Sequence, residues 1–221
     1  MPVAPFLLSL EIALAATALA GVVGVPVAAL LARRRFLGRE ALDALLSVPL
    51  VLPPTVLGYF LLVVIGRRGV IGRAYEAVTG APLVFTVKAA VLAAAASSLP
   101  LVVKFGRAAF AGVDRDVVLA ARTLGASPLR AFRTVELPLA ARGLVAALAL
   151  AFARALGEFG ATLMVAGDLP GVTQTASMAI YDAAIAGREH DANALVLVLA
   201  SLSFGALYVT NRLALGHAPR E

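Results

Sequence analysis

The chain has 221 residues, 61% of them hydrophobic and 14% charged, with a mean hydropathy of +0.94 and a formal charge of +6. That excludes an ordinary soluble domain, in which about half the residues are apolar and about a quarter charged. With no cysteine there is neither a disulfide framework nor a thiolate metal site, and two histidines, His190 and His217, are too few for most metal centres. The positive balance could suit nucleic acid, but the arginines are scattered between apolar stretches and form no patch, so nucleic acid is not an expected partner.

A hydrocarbon core about 30 Å thick takes about 20 apolar residues as a helix. Five stretches qualify, approximately residues 6–32, 45–65, 83–103, 139–167 and 192–213, and they predict an all-α integral membrane protein. No Pro/Ser-rich linker, low-complexity tract or repeat divides residues 1–221, so a single transmembrane domain is expected. The first stretch exceeds the apolar run of a secretory signal, and its basic cluster, Arg33-Arg34-Arg35, follows it, which makes it an anchor with the N-terminus outside. With that sidedness thirteen Lys and Arg lie inside (segments 33–41, 104–142 and the tail) against five outside: Arg67, Arg68, Arg73, Lys88 and Arg188. The C-terminus is then inside.

The second stretch carries Pro49, Pro53 and Pro54, which remove backbone donors and free carbonyls, so this helix should be bent and partly opened. Such a bend suits either a pathway lining, with Thr55 beside it, or packing alone. The third is rich in small residues, Ala93 to Ala96 with Ser97 and Ser98, which suits core packing better than pore lining.

Residues 104–138 read as water-exposed chain. Asp114 and Asp116 offer N-caps, and Val117, Ala120, Ala121 and Leu124 then recur at helical spacing. Gly125 can end that helix in the left-handed conformation, and Ser127-Pro128 starts a second one carrying Leu129 and Phe132 among Arg130 and Arg133, ending before Pro138. The resulting hairpin offers an apolar knob on a basic collar, either to anionic lipid or to a protein.

In the fourth stretch Arg154 and Glu158 stand four residues apart, on one helix face. A lone charge at mid-membrane costs at least about 2.5–3.5 kcal/mol, so both should face protein or water, and each other. Gly157 and Gly160, with Ala147, Ala151 and Ala155, mark a close-packing face that suits a dimer seam. Between the fourth and fifth stretches, Asp168 to Tyr181 forms an outer loop able to meet an external protein or to serve as a plain connector.

No catalytic constellation is legible. Lys88 and Lys104 follow valines and not the glycine of a P-loop, and there is no His-Glu-x-x-His. His190, between Glu189 and Asp191, reads as part of a solvated charge cluster. Any energy from ATP must come from another chain, or none is used.

The segment Leu119-Ala-Ala-Arg-Thr-Leu-Gly125 followed by Val135-Glu-Leu-Pro138 resembles the EAA loop of ABC-importer permeases: Glu-Ala-Ala, three residues, Gly, nine residues, Ile, one residue, Leu-Pro. Ala120, Ala121, Gly125, Leu137 and Pro138 match, Leu119 replaces the glutamate and Val135 the isoleucine. The resemblance implies the type I ABC importer permease fold and a coupling helix formed by this loop, with Ser127, Leu129 and Phe132 among the contacts to an ATP-binding subunit. Residues 47–59, 66–72 and 154–161 are similar to the molybdate branch of that family, with tungstate, sulfate or thiosulfate permeases as the alternatives and a passive anion channel a remoter one. The resemblance further implies a homodimer in a bacterial cytoplasmic membrane and an extracytoplasmic molybdate-binding protein. It implies no cofactor on this chain, with ATP and Mg on the partner, and the candidate pathway residues are Pro53, Pro54, Thr55, Arg154 and Glu158. In this reading Arg154 offers a transient positive site to a tetrahedral dianion while Glu158 keeps it from holding too tightly.

Overall fold

The computed structural model describes residues 3–34 and 36–215. Arg35 of the basic cluster, His217 and the expected inner tail beyond 215 lie outside them. The described residues form α1 (Ala4–Arg33), α2 (Arg39–Val51), α3 (Pro54–Ile65), α4 (Val70–Thr79), α5 (Val87–Ala111), α6 (Arg115–Thr123) and α7 (Pro128–Ala131). A π-helical turn (Phe132–Glu136), α8 (Leu137–Leu156), α9 (Gly160–Ala166), α10 (Ala176–Ile185) and α11 (Glu189–Leu215) follow.

Three of these are long and apolar enough to cross a membrane: α1, α5 and the run Pro128–Leu156, with α2 and α3 a fourth crossing if that bent pair counts as one. The expected fifth span, 192–213, falls inside the 27-residue α11. The bundle is organised around α1, α5 and α8, whose facing residues are small. Ala13, Ala16, Ala28, Ala89, Ala93, Ala147 and Ala151 are fully buried, and Gly24 lies so close to Val102 that a Cβ there would sit 2.8 Å from its Cγ1. In lipid no hydrophobic force drives helices together, so dispersion between closely approaching backbones does the work. Large apolar side chains point outward instead, with Leu7, Leu14 and Val22 exposed at 63%, 56% and 74%. Ser97 and Ser98 spend their hydroxyls on the Ala94 carbonyl at 3.0 and 2.8 Å, so both are buried with their polar atoms satisfied inside the helix.

Two expected spans are not single rods. Residues 45–65 are broken between α2 and α3, whose axes differ by 115°. Leu52 and Pro53 each precede a proline, which disfavours the helical backbone, and both are extended, with ψ of 138° and 137°. Residues 139–167 divide at Gly157–Phe159, between α8 and α9. No proline acts there. Glu158 accepts a hydrogen bond from the Ala161 amide at 2.9 Å, capping the new helix with its side chain, and the flanking glycines lower the cost of leaving the old one.

Alanines 147, 151 and 155 do not form a free dimer seam. At 0%, 0% and 4% exposure they pack inside the chain, Ala151 with Ala20 and Val102. Four-residue spacing of small residues marks close packing but does not say against which neighbour.

Candidate functional site

The hairpin is built by local capping. The Asp114 carboxylate accepts from the Asp116 amide at 2.9 Å to start α6, and the Ser127 hydroxyl accepts from the Arg130 amide at 3.3 Å to start α7. Between them Gly125 adopts φ +89°, and the Ala126 amide returns to the Ala121 carbonyl at 3.1 Å. Ala120, Gly125, Ser127 and Pro138 are exposed and Ala121 half-buried. The apolar stripe of α6 points away from the bundle, with Val117 at 47% and Leu124 at 88% exposure, and Leu129 adds 58%.

Two expectations for this segment fail. Its second helix does not end before Pro138 but continues into α8 through the π turn, in which the Leu137 amide bonds the Phe132 carbonyl. Pro138 has no amide to give to the residue four before it, and its ring would crowd that carbonyl; one extra residue in the turn relieves both. Phe132 is also no part of an exposed knob. It is half-buried and turned inward, its ring 5.9 Å from that of Phe110 and 5.1 Å from the Arg33 guanidinium. Leu137 is likewise partly covered. Sequence reasoning passed over Glu136, which is 2% exposed and ion-paired with Arg33 at the end of α1. The π turn rotates it inward, and only the proline two residues on hints at that in the sequence.

A second polar locus lies where the two broken spans meet. A Cβ on Gly160 would stand 2.8 Å from the Pro54 Cβ and 3.2 Å from the Thr55 nitrogen, and one on Gly58 only 2.9 Å from the Ala161 Cα. The start of α9 therefore packs directly on the start of α3. Next to that crossing Arg154 Nη1 lies 2.7 Å from Glu158 Oε2, as expected from their spacing. The contact is an ion pair off hydrogen-bonding angles, the second carboxylate oxygen being used by the Ala161 amide. Glu158 is 1% exposed and Arg154 32%, so the pair presents its positive end outward from a buried negative one. Pro53, Pro54 and Thr55 are all exposed. The crossing thus sets Pro54 and Thr55 against Gly160, two residues beyond Glu158, and Glu158 in turn holds Arg154.

The loop from Asp168 to Tyr181 is tied firmly into the bundle. Thr173 is fully buried, shares its hydroxyl proton between the Ala166 and Gly167 carbonyls at 3.1 Å and accepts from the Leu169 amide at 3.2 Å. Ser9 on α1 accepts from the Ala176 amide at 2.8 Å, and Met178 is fully buried. Tyr181, at 47% exposure, and Val172, at 54%, remain accessible. Burial, then the hydrogen bond and the repulsion from the nearby Asp182 carboxylate, raise the pKa of Asp168 above the ordinary carboxylate value.

A bundle of long spans around two broken helices, with a helical hairpin projecting from one end, defines the type I ABC importer permease fold. The inward-facing MetNI methionine ABC transporter shares it at a TM-score of 0.71 over 95% of this chain and 92% of that one, with 18% identity. The chain belongs to the binding-protein-dependent transport system inner membrane component family, whose model matches residues 24–220. It is 43% identical over 209 residues to the molybdenum transport system permease protein ModB of Escherichia coli K12, covering 94% of this chain and 91% of that one. To ModB of Haemophilus influenzae it is 42% identical over 181 residues, 82% and 79% of the two chains.

Proposed function

We propose that this chain is the membrane subunit of an ATP-driven molybdate importer, working by alternating access, with the N-terminus outside and the hairpin in the cytosol. The observation that carries the reading is the hairpin: a helix whose apolar stripe faces water is unsatisfied alone and fits a groove on a partner. That partner is an ATP-binding subunit, which holds ATP and Mg, while this chain supplies no catalytic group. Two copies of this chain would enclose the pathway, and an extracytoplasmic binding protein would deliver the anion. The identity to molybdenum permeases supports molybdate over sulfate, thiosulfate or tungstate.

Chemically, Arg154 offers one outward cation to a tetrahedral dianion near the α3–α9 crossing. Glu158, buried beside it, lowers the net attraction, so the anion is attracted without being trapped. The freed backbone at Leu52–Thr55 and the Thr55 hydroxyl add weak dipoles. Rearrangement of two already broken helices needs little rupture of regular hydrogen bonding, which suits a gate.

Replacing Gly125 with valine tests the coupling role. A β-branched residue at φ +89° is strained by about 1–3 kcal/mol, yet the turn is exposed and has nothing within 4 Å of a new Cβ. Molybdate uptake should fall at least about tenfold while the amount of protein in the membrane stays at the parental level. Undiminished uptake would overturn the assignment.

A further inference from the structure

The two faces of α6 are the reverse of what an amphipathic helix on a bundle normally shows. Val117, Ala120 and Leu124 face outward, while Arg115, Val118, Leu119 and Arg122, at i, i+3, i+4 and i+7, share the opposite face. These four line a cavity of about 360 Å³ closed on its other side by the ends of α1 and α5 and by the π turn. α6 buries none of its nine residues completely, only Val118 and Ala121 being half-covered, so its side chains hold it to the bundle weakly across this space.

The charge in the cavity does not balance. Arg33 is paired with Glu136, and Glu136 is the only acid in the lining. Among the described residues neither Arg115 nor Arg122 has an ion pair, and Arg115 lies near enough to Arg33 for the two charges to repel. Asp114 and Asp116, the nearest acids along the chain, do not line the cavity, and Leu119, where the loop pattern carries glutamate, brings no carboxylate. Three guanidiniums and one committed carboxylate converge on a space that is otherwise apolar, at the level where two spans end. Guanidinium groups suit the paired oxygens of phosphate-like anions.

We infer that this cavity binds a tetrahedral oxyanion of the phosphate class, bridging Arg115 and Arg122 of α6 to Arg33 of α1 and so tying the hairpin to the bundle. Two sources share that chemistry: the headgroup of an anionic lipid and a free oxyanion. The inference does not depend on what the chain transports, and its test reads binding alone.

The full-length chain, purified in detergent, is examined by native mass spectrometry with phosphatidylglycerol or phosphatidylcholine, and by thermal melting with and without inorganic phosphate. The variant is R115Q/R122Q, with R130Q/R133Q, arginines on the same hairpin outside the cavity, as the charge control. A lipid source predicts at least about fivefold more phosphatidylglycerol retained than phosphatidylcholine, a preference lost in R115Q/R122Q and kept in R130Q/R133Q. A free-anion source predicts a phosphate-dependent rise in melting temperature with the same dependence on the variants and no lipid preference. The inference is overturned if neither ligand distinguishes parent from R115Q/R122Q, or if both variants lose binding alike. Both variants change exposed side chains, and their melting in the absence of ligand shows whether they fold.

Discussion

Glu136 gathers three separate contacts into one place. Its carboxylate is buried against Arg33, Arg33 lies over the Phe132 ring, and that ring meets Phe110 of α5. The root of the hairpin is thereby joined to the ends of α1 and α5 through groups whose geometry the π turn sets. A carboxylate at 2% exposure is costly to leave without its partner. Replacing Glu136 with glutamine keeps the volume but leaves Arg33 without its counter-charge. The cost should lie between the ~0–1 kcal/mol of an exposed pair and the ~3–5 kcal/mol of a fully buried one, because Arg33 reaches solvent. We expect a loss of roughly 2 kcal/mol, visible as a lower unfolding midpoint of the purified chain, with R33M/E136L recovering most of it. An unchanged midpoint in E136Q would show that the pair is not what holds the root of the hairpin.

At the scale of elements, the sequence displayed what depends on neighbouring residues and hid what depends on distant ones. The caps at Asp114 and Ser127, the turn at Gly125 and the bend at Pro53–Pro54 are consequences of a few adjacent side chains, and each was legible. The inward turn of Phe132, the burial of Glu136 and the intrachain role of Ala147, Ala151 and Ala155 follow from which helix lies opposite, and periodicity carries no such information. The break at Gly157 stands between these cases: the glycines were visible, but the cap from Glu158 was read only as half of an ion pair. The size of the bend at Pro53–Pro54 can be tested directly. With spin labels at L45C and V63C, a straight helix would hold the sites roughly 27 Å apart, and a pair bent as observed about half that. The chain has no native cysteine to interfere. P53A/P54A should lengthen the distance towards the straight value and depress uptake. A parental distance in that variant would place the cause of the bend in the packing of Gly160 on Pro54, not in the prolines.

For the whole molecule, the decisive quantity is which end of the bundle meets the cytosol, because the hairpin, the anion cavity and the arginine at the α3–α9 crossing all take their meaning from it. The count of thirteen cations against five points one way. Two of the five cations counted outside have partners: Arg67 reaches Glu76 at 4.0 Å, and Lys88 donates to the Tyr75 hydroxyl at 2.9 Å. Gly69 and Gly72 fix the turn carrying Arg67 and Arg68, since a Cβ on either would strike a backbone carbonyl at 2.2 or 2.0 Å. That turn is therefore a structured part of the fold, and its charges accompany it wherever the flanking helices go. Arg130 and Arg68 are both exposed and should lie on opposite sides of the bilayer. In a chain without cysteine, R130C should react with a membrane-impermeant maleimide in inverted vesicles but not in intact cells, and R68C should do the opposite. If R130C reacted in intact cells, the hairpin would face the compartment that has no ATP, and the coupling role would have to be abandoned even though the fold would stand.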